Sequence, residues 1–116
     1  MPNRSKIVCF CGSSRFTDLM AVLMWEFERD EGVITMGLHL LPSWYSTEES
    51  HQAEHEGVAA HMDELHLRKI DLADYIFVAN KDGYIGDSTR REIAYARGLG
   101  KKVLFLEPEK GVASSK

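Results

Sequence analysis

The chain has no apolar run approaching the roughly 20 residues that a membrane-spanning helix needs. Its first residues, MPNRSK, lack the apolar core of a secretion signal, so the sequence reads as cytoplasmic. Positive charge is not in excess either. Fourteen Lys and Arg stand against 18 Asp and Glu, a formal net charge of −4. That argues against a broad DNA- or RNA-binding face, which would be basic, though not against one small basic pocket. Cysteine is nearly absent: Cys9 and Cys11 are the only two. They are too close for an ordinary disulfide, and their spacing is not the redox C-x-x-C. Two apart in a strand, they point to the same face, and they read as small packing residues. No covalent staple is needed. The 116 residues, 44% of them hydrophobic, are enough for one domain with its own core. Repeats, linkers and low-complexity stretches are absent.

What is present is an alternation of two periodicities. KIVCFC (6–11) is a short, nearly continuous apolar run, the pattern of a strand covered on both faces. Phe16, Leu19, Leu23 and Phe27 then recur at helical spacing, with Ser14 as N-cap and Gly32 as terminator. VITMGL (33–38) is the second strand, and Pro42 marks the loop after it. Thr47 opens a long helix to about Leu72, striped by Val58, Met62, Leu65 and Ile70, with Gly57 inside it. YIFVAN (75–80) is the third strand, Thr89–Leu99 the third helix and KVLFL (102–106) the fourth strand. A loosely ordered tail follows from residue 107. The expected fold is therefore α/β, a Rossmann-like three-layer sandwich on a four-stranded parallel sheet of order 2-1-3-4 with right-handed crossovers. Such sheets bind ligands beyond the carboxyl ends of their strands, where the strand order reverses.

Two loops meet that rule. The first, GSSR, offers Gly12 for a tight turn, Ser13 and Ser14 for hydroxyls and backbone N–H groups, and Arg15 for an anion. The second, NKDGYIGDSTRRE, contributes Asn80, Gly83, Tyr84, Gly86, Ser88, Thr89 and Arg90. Gly83 and Gly86 allow close approach to a ligand. With Thr89 as N-cap, Arg90 and Arg91 fall in the first turn of the third helix. There the dipole disfavours cations by roughly 0.3–1 kcal/mol, and a bound anion would resolve the conflict. The alternative is that the arginine stems swing into solvent. Glu92 has two readings as well. With Thr89 it forms a Thr-x-x-Glu capping box. Otherwise its carboxylate faces the crevice, where it could attack a sugar carbon that is losing its base.

From Lys6 to about Leu106 the chain resembles the nucleoside 2-deoxyribosyltransferase superfamily, which includes nucleoside 5′-monophosphate N-glycosidases. VCFCGSSR, ADYIFV and GDSTRREIAYARGLGKKV carry the resemblance. It implies that Glu92 is the nucleophile in cleavage of an N-glycosidic bond through a glycosyl-enzyme intermediate. Gly12 and Ser13 would face ribose or phosphate, as would Ser88 and Thr89. Water as acceptor gives a hydrolase and a second base gives a transferase. The resemblance also implies a homo-oligomer whose second subunit walls the pocket, and no cofactor. The family's acid/base is an aspartate eight residues before the aspartate of ADYIFV; counted back from Asp74, that position is His66. His66 could donate the proton, or be a solvent-facing helix histidine, and Asp63 or Asp71 could substitute. FCGSS is also similar to the lysine-decarboxylase-like phosphoribohydrolases, although their PGGxGTxxE is replaced here by GYIGDSTRRE.

The expectation is thus an N-glycosidase for a nucleoside or nucleotide, with catalytic Glu92, His66 and Asp71. The competing class is a nucleotide-binding module in which Glu92 only caps a helix. No metal is assigned. HQAEH (51–55) fits H-x-x-E-H but reads as a solvated helix face. His39 and His61 have no site spacing. Trp25 reads as core or interface, and Trp44 and Tyr45 as candidates to stack on a base or join subunits.

Overall fold

A computed structural model describes residues 4–42, 44–45 and 57–108. Four strands, β1 (Ile7–Cys11), β2 (Ile34–Met36), β3 (Tyr75–Val78) and β4 (Lys102–Phe105), alternate with α1 (Thr17–Glu31), α2 (Ala59–Leu72) and α3 (Asp87–Gly98). The sheet is wholly parallel, in the expected order β2-β1-β3-β4. Phe10 lies opposite Phe77, and Cys11 opposite Val78, at the carboxyl ends of β1 and β3.

The apolar run of β1 reflects its position: helices cover both of its faces. On one face Val8, Phe10 and Phe77 pack with Met20 of α1, flanked by Leu23 and Phe27. The rings of Phe10, Phe27 and Phe77 form a triangle with centroids 5.0–5.3 Å apart. On the other face Cys9, Cys11, Ile76 and Val78 pack with Ile70 of α2 and Ile93 and Ala96 of α3. Among the described residues no helix is long and apolar enough to cross a membrane.

The helix ends depart from expectation in several places. Gly32 does end α1, in a left-handed conformation (φ 67°), with its N–H donated to the Glu28 carbonyl. At the start of that helix, however, Ser13 rather than Ser14 caps the chain, through a short 3-10 turn, Ser14–Phe16. Gly57 does not sit inside α2. Its φ of +79° is left-handed, and the helix begins after it. The proposed start at Thr47 lies outside the described residues. Helix α3 starts at Asp87, with Gly86 as N-cap and no side-chain cap. Trp25 is 60% exposed and so is not core. The tail is pinned at its first residue: the Glu107 N–H donates to Asn80 Oδ1, and the Asp82 N–H donates to the Glu107 carboxylate.

Two polar clamps close the amino edge of the sheet. Lys101 sends its ammonium to the carbonyls of Ile70, Asp71 and Ala73, at 2.9, 2.7 and 2.6 Å. It satisfies the open end of α2 and complements its dipole. Asp74 accepts from the Ile7 N–H at 2.7 Å and pairs with Arg4. Lys101→Met keeps the stem and removes the charge. It is expected to lower the free energy of unfolding by about 2 kcal/mol, measured by urea denaturation. The hydrogen bonds from Arg4 and then from the Ile7 N–H hold the Asp74 carboxyl below its ordinary value of 3.8. A group depressed in this way stabilises the fold above its unfolded pKa and loses that contribution as pH falls through the folded one. Asp74→Asn should therefore be less stable than the parent at neutral pH, and the gap should close below about pH 4.

Candidate functional site

The two loops expected to flank the crevice do meet. A Cβ on Gly12 would lie 3.3 Å from Met20 Sδ and 3.4 Å from the Ala79 carbonyl, so the turn after β1 is packed too tightly for a side chain without adjustment. Ser13 Oγ accepts from the Arg15 N–H at 3.2 Å, which turns Arg15 toward the second loop. The Arg15 guanidinium stacks 4.0 Å from the centre of the Tyr84 ring, and Phe16 meets the same ring edge-on at 6.1 Å. In the second loop Asp82 (φ 58°) and Gly83 (φ 81°) are both left-handed, whereas Gly86 is extended and lies under Tyr84.

Not every predicted residue is free to meet a ligand. Asn80 is buried, and both ends of its amide are bonded to the backbone of Glu107. Thr89 is buried as the third residue of α3, so it is not an N-cap and the capping box does not form. Arg90 and Arg91 consequently fall beyond the first three positions. The first turn holds Asp87, the sign the dipole favours. The conflict that a bound anion would have resolved does not arise. Arg91 instead donates to Ser88 Oγ and lies 4.0 Å from Asp63. Arg90 is exposed.

Glu92 turns inward. It is 7% exposed, and its Oε1 stands 3.6 Å from His66 Nε2 of α2. His66 is 3% exposed, so it is not a solvent-facing histidine. Its Nε2 also lies 3.7 Å from Cys9 Sγ and 3.4 Å from Cys11 Sγ. Strand β1 places both sulfurs on one face, and α2 and α3 lay the imidazole and the carboxylate over them. Glu92 Oε1 and His66 Nδ1 are fully buried with no hydrogen-bond partner among the described residues.

Electrostatics in this cluster follow from burial and proximity. Burial raises the Glu92 carboxyl above its ordinary value, against the opposing pull of His66 and the Cys11 thiol. The two thiols share their protons unequally. The Cys11 hydrogen bond, aided by His66 and opposed by burial, favours a thiolate at Cys9; that same bond and burial hold Cys11 protonated. Burial works against charge on His66, but Cys9 and Glu92 outweigh it, and its pKa is raised.

Asp71 belongs elsewhere. It lies in the last turn of α2, which runs to the amino edge of the sheet. Its carboxylate accepts from Tyr95 Oη at 2.6 Å and pairs with Arg68. Asp63, one turn before His66, is on the crevice side and adds to the upward push on Glu92. Trp44 and Tyr45 are exposed and meet edge-on, 6.2 Å apart. HQAEH lies outside the described residues.

In comparison with known proteins, no family model, no curated protein and no solved structure matches the chain. The resemblance to the deoxyribosyltransferase superfamily thus rests on the sequence motifs alone.

Sequence reasoning treated Cys9 and Cys11 as packing and did not join them to His66. The period-two spacing of the cysteines was a usable signal, but the pairing with a helix 55 residues away in the chain depends on how α2 settles on the sheet. The same packing makes His66 and Glu92 interdependent. His66→Leu leaves a buried carboxylate without its partner and should cost about 3 kcal/mol. The double variant His66→Leu/Glu92→Leu should recover most of that loss in a denaturation cycle.

Proposed function

We propose that the chain cleaves the N-glycosidic bond of a nucleoside or nucleoside 5′-monophosphate, with Glu92 as the nucleophile. The observation that carries this reading is Glu92 itself. It is a buried carboxylate with an oxygen that has no hydrogen bond among the described residues, beside His66 and the end of β1, the strand from which the Gly12–Arg15 loop departs. A carboxylate kept for stability would have its oxygens bonded, and the capping box that would have given it a structural task does not form.

In this reading the ligand sits at the switch point between β1 and β3. The Glu92 carboxylate attacks the anomeric carbon. The C–N bond breaks, its electron pair leaves with the base, and the base takes up a proton. Water then attacks the glycosyl ester, releasing the sugar, the free carboxylate and a proton; a second base in place of water would give exchange. His66, in contact with Glu92, favours its charged form. Arg15, stacked on Tyr84 at the mouth of the crevice, is the cation best placed for a 5′-phosphate. The enzyme would act in the cytoplasm on a small molecule, as a homo-oligomer in which a second subunit walls the pocket.

The test is release of free base, followed by chromatography, from a panel of ribo- and deoxyribonucleosides and their 5′-monophosphates. The assay is run in the presence of a chelator, with and without an added acceptor base. Glu92→Gln is expected to lower the rate by at least about 1,000-fold while the thermal unfolding curve stays cooperative. Full activity in that variant, or no release from any substrate by the parent protein, would sink the reading.

A further inference from the structure

The group formed by Cys9, Cys11, His66 and Glu92 has a composition that neither core packing nor glycosidic cleavage calls for. Nucleophilic attack uses one carboxylate. It gives no reason for two thiols to converge on the same imidazole nitrogen. A dry core gives no reason for a carboxylate and an imidazole to stand where apolar side chains of similar size could, since exchanging such a buried pair for apolar residues is often neutral or stabilising.

We propose that Cys9, Cys11 and His66 form a three-ligand binding site for a soft divalent metal ion such as Zn2+, with Glu92 beside His66 and able to complete a tetrahedral set by a side-chain shift. The donor atoms Cys9 Sγ, Cys11 Sγ and His66 Nε2 all lie within 4.8 Å of one another. In a tetrahedral zinc site, with Zn–S about 2.3 Å and Zn–N about 2.0–2.1 Å, a sulfur and a nitrogen ligand stand about 3.6 Å apart. His66 Nε2 lies 3.7 and 3.4 Å from the two sulfurs and 3.6 Å from Glu92 Oε1. The donors come from three elements, β1, α2 and α3, so the site would tie both helices to the sheet. The His66 and Glu92 side chains are more than nine-tenths buried, and Glu92 Oε1 has no hydrogen-bond partner among the described residues. Two thiolates with an imidazole select zinc-like or cuprous ions over calcium or magnesium, which want oxygen ligands throughout. Binding displaces the thiol protons into solvent.

This site goes beyond the glycosidase reading and does not depend on it. The two share Glu92, so a metal-loaded chain would hold its carboxylate away from a sugar.

The test is titration of the reduced, full-length protein with Co2+ and Zn2+ in the absence of any nucleotide. Cobalt should give the intense visible bands of a tetrahedral site together with thiolate-to-metal charge transfer in the near ultraviolet, and one equivalent of Zn2+ should displace it. Cys9→Ser and Cys11→Ser, which nearly conserve shape, should each weaken binding by more than about 100-fold, beyond what loss of an outer partner gives. Zinc should raise the thermal midpoint of the parent but not of the double serine variant. Should the variants fold poorly, X-ray absorption at the zinc edge of the parent protein decides alone. Two sulfurs in the first shell support the site. A shell without sulfur, cobalt spectra without charge transfer, or equal affinity in parent and folded serine variants overturns it. Base release is assayed with chelator present, so failure of either proposal leaves the other standing.

Discussion

Glu92 can carry a charge in the interior only because His66 faces it from the neighbouring helix. An unpaired buried charge costs several kcal/mol, a large part of the 5–15 kcal/mol by which a domain is stable. That cost constrains the packing of α2 on α3. A slip of one turn, about 5.4 Å, would replace His66 opposite Glu92 with a residue such as Met62 or Ile70 and leave the acid alone. The helices are further fixed from the opposite end, where Lys101 binds three carbonyls at the end of α2. The layer of α2 and α3 is therefore located by polar contacts at both edges of the sheet, with Ile70, Ile76, Ile93 and Ala96 filling the space between. On the other face the three phenylalanine rings suffice, because α1 carries no buried charge.

The strand order was legible in the sequence because its determinants are local. Continuous apolar runs at 6–11 and 75–80, separated by helical periodicity, leave few arrangements once right-handed crossovers are required. The helix ends were less legible. Thr-x-x-Glu has the same spacing whether it straddles a helix start or lies wholly within the helix, since residues three apart share a face either way. Only the backbone at Gly86 shows that α3 begins early enough to turn Thr89 and Glu92 inward together. Gly57 was ambiguous in the same way: a glycine within a periodic pattern either weakens a helix or bounds it. Its positive φ shows that it bounds one.

The side chains of the site were legible as individuals and not as a group. Glu92, Gly12 and Ser13 stand out as candidates because each sits beside a turn signal at the carboxyl edge, and for Glu92 the family resemblance adds the catalytic reading. Asp71 shares a helix with His66 without lying near it. Five residues along a helix is about 7.5 Å, enough to carry its carboxylate to the amino edge, where Tyr95 and Arg68 hold it. The convergence of both thiols on His66 arises from non-local packing, which no pattern within one element can encode.

Both proposed roles of Glu92 draw on the same excess of proton-binding groups in a dry place. Two thiols, an imidazole and a carboxylate can all be neutral, or can hold charge only in compensating pairs. A thiolate or carboxylate beside imidazolium is one balanced state. Two thiolates and a carboxylate around a dication is another, with one net negative charge left. Full protonation is the state in which Glu92 neither attacks a sugar nor binds an ion. What selects among these states is the reach of solvent and ligand from the crevice. Cys11 ends β1, and Gly12 follows it in the turn, so the cluster is buried at the carboxyl end of the strand. Placement at the last residue of a switch-point strand is thus the common condition for any chemistry here, and the packing of α2 and α3 determines which groups share in it.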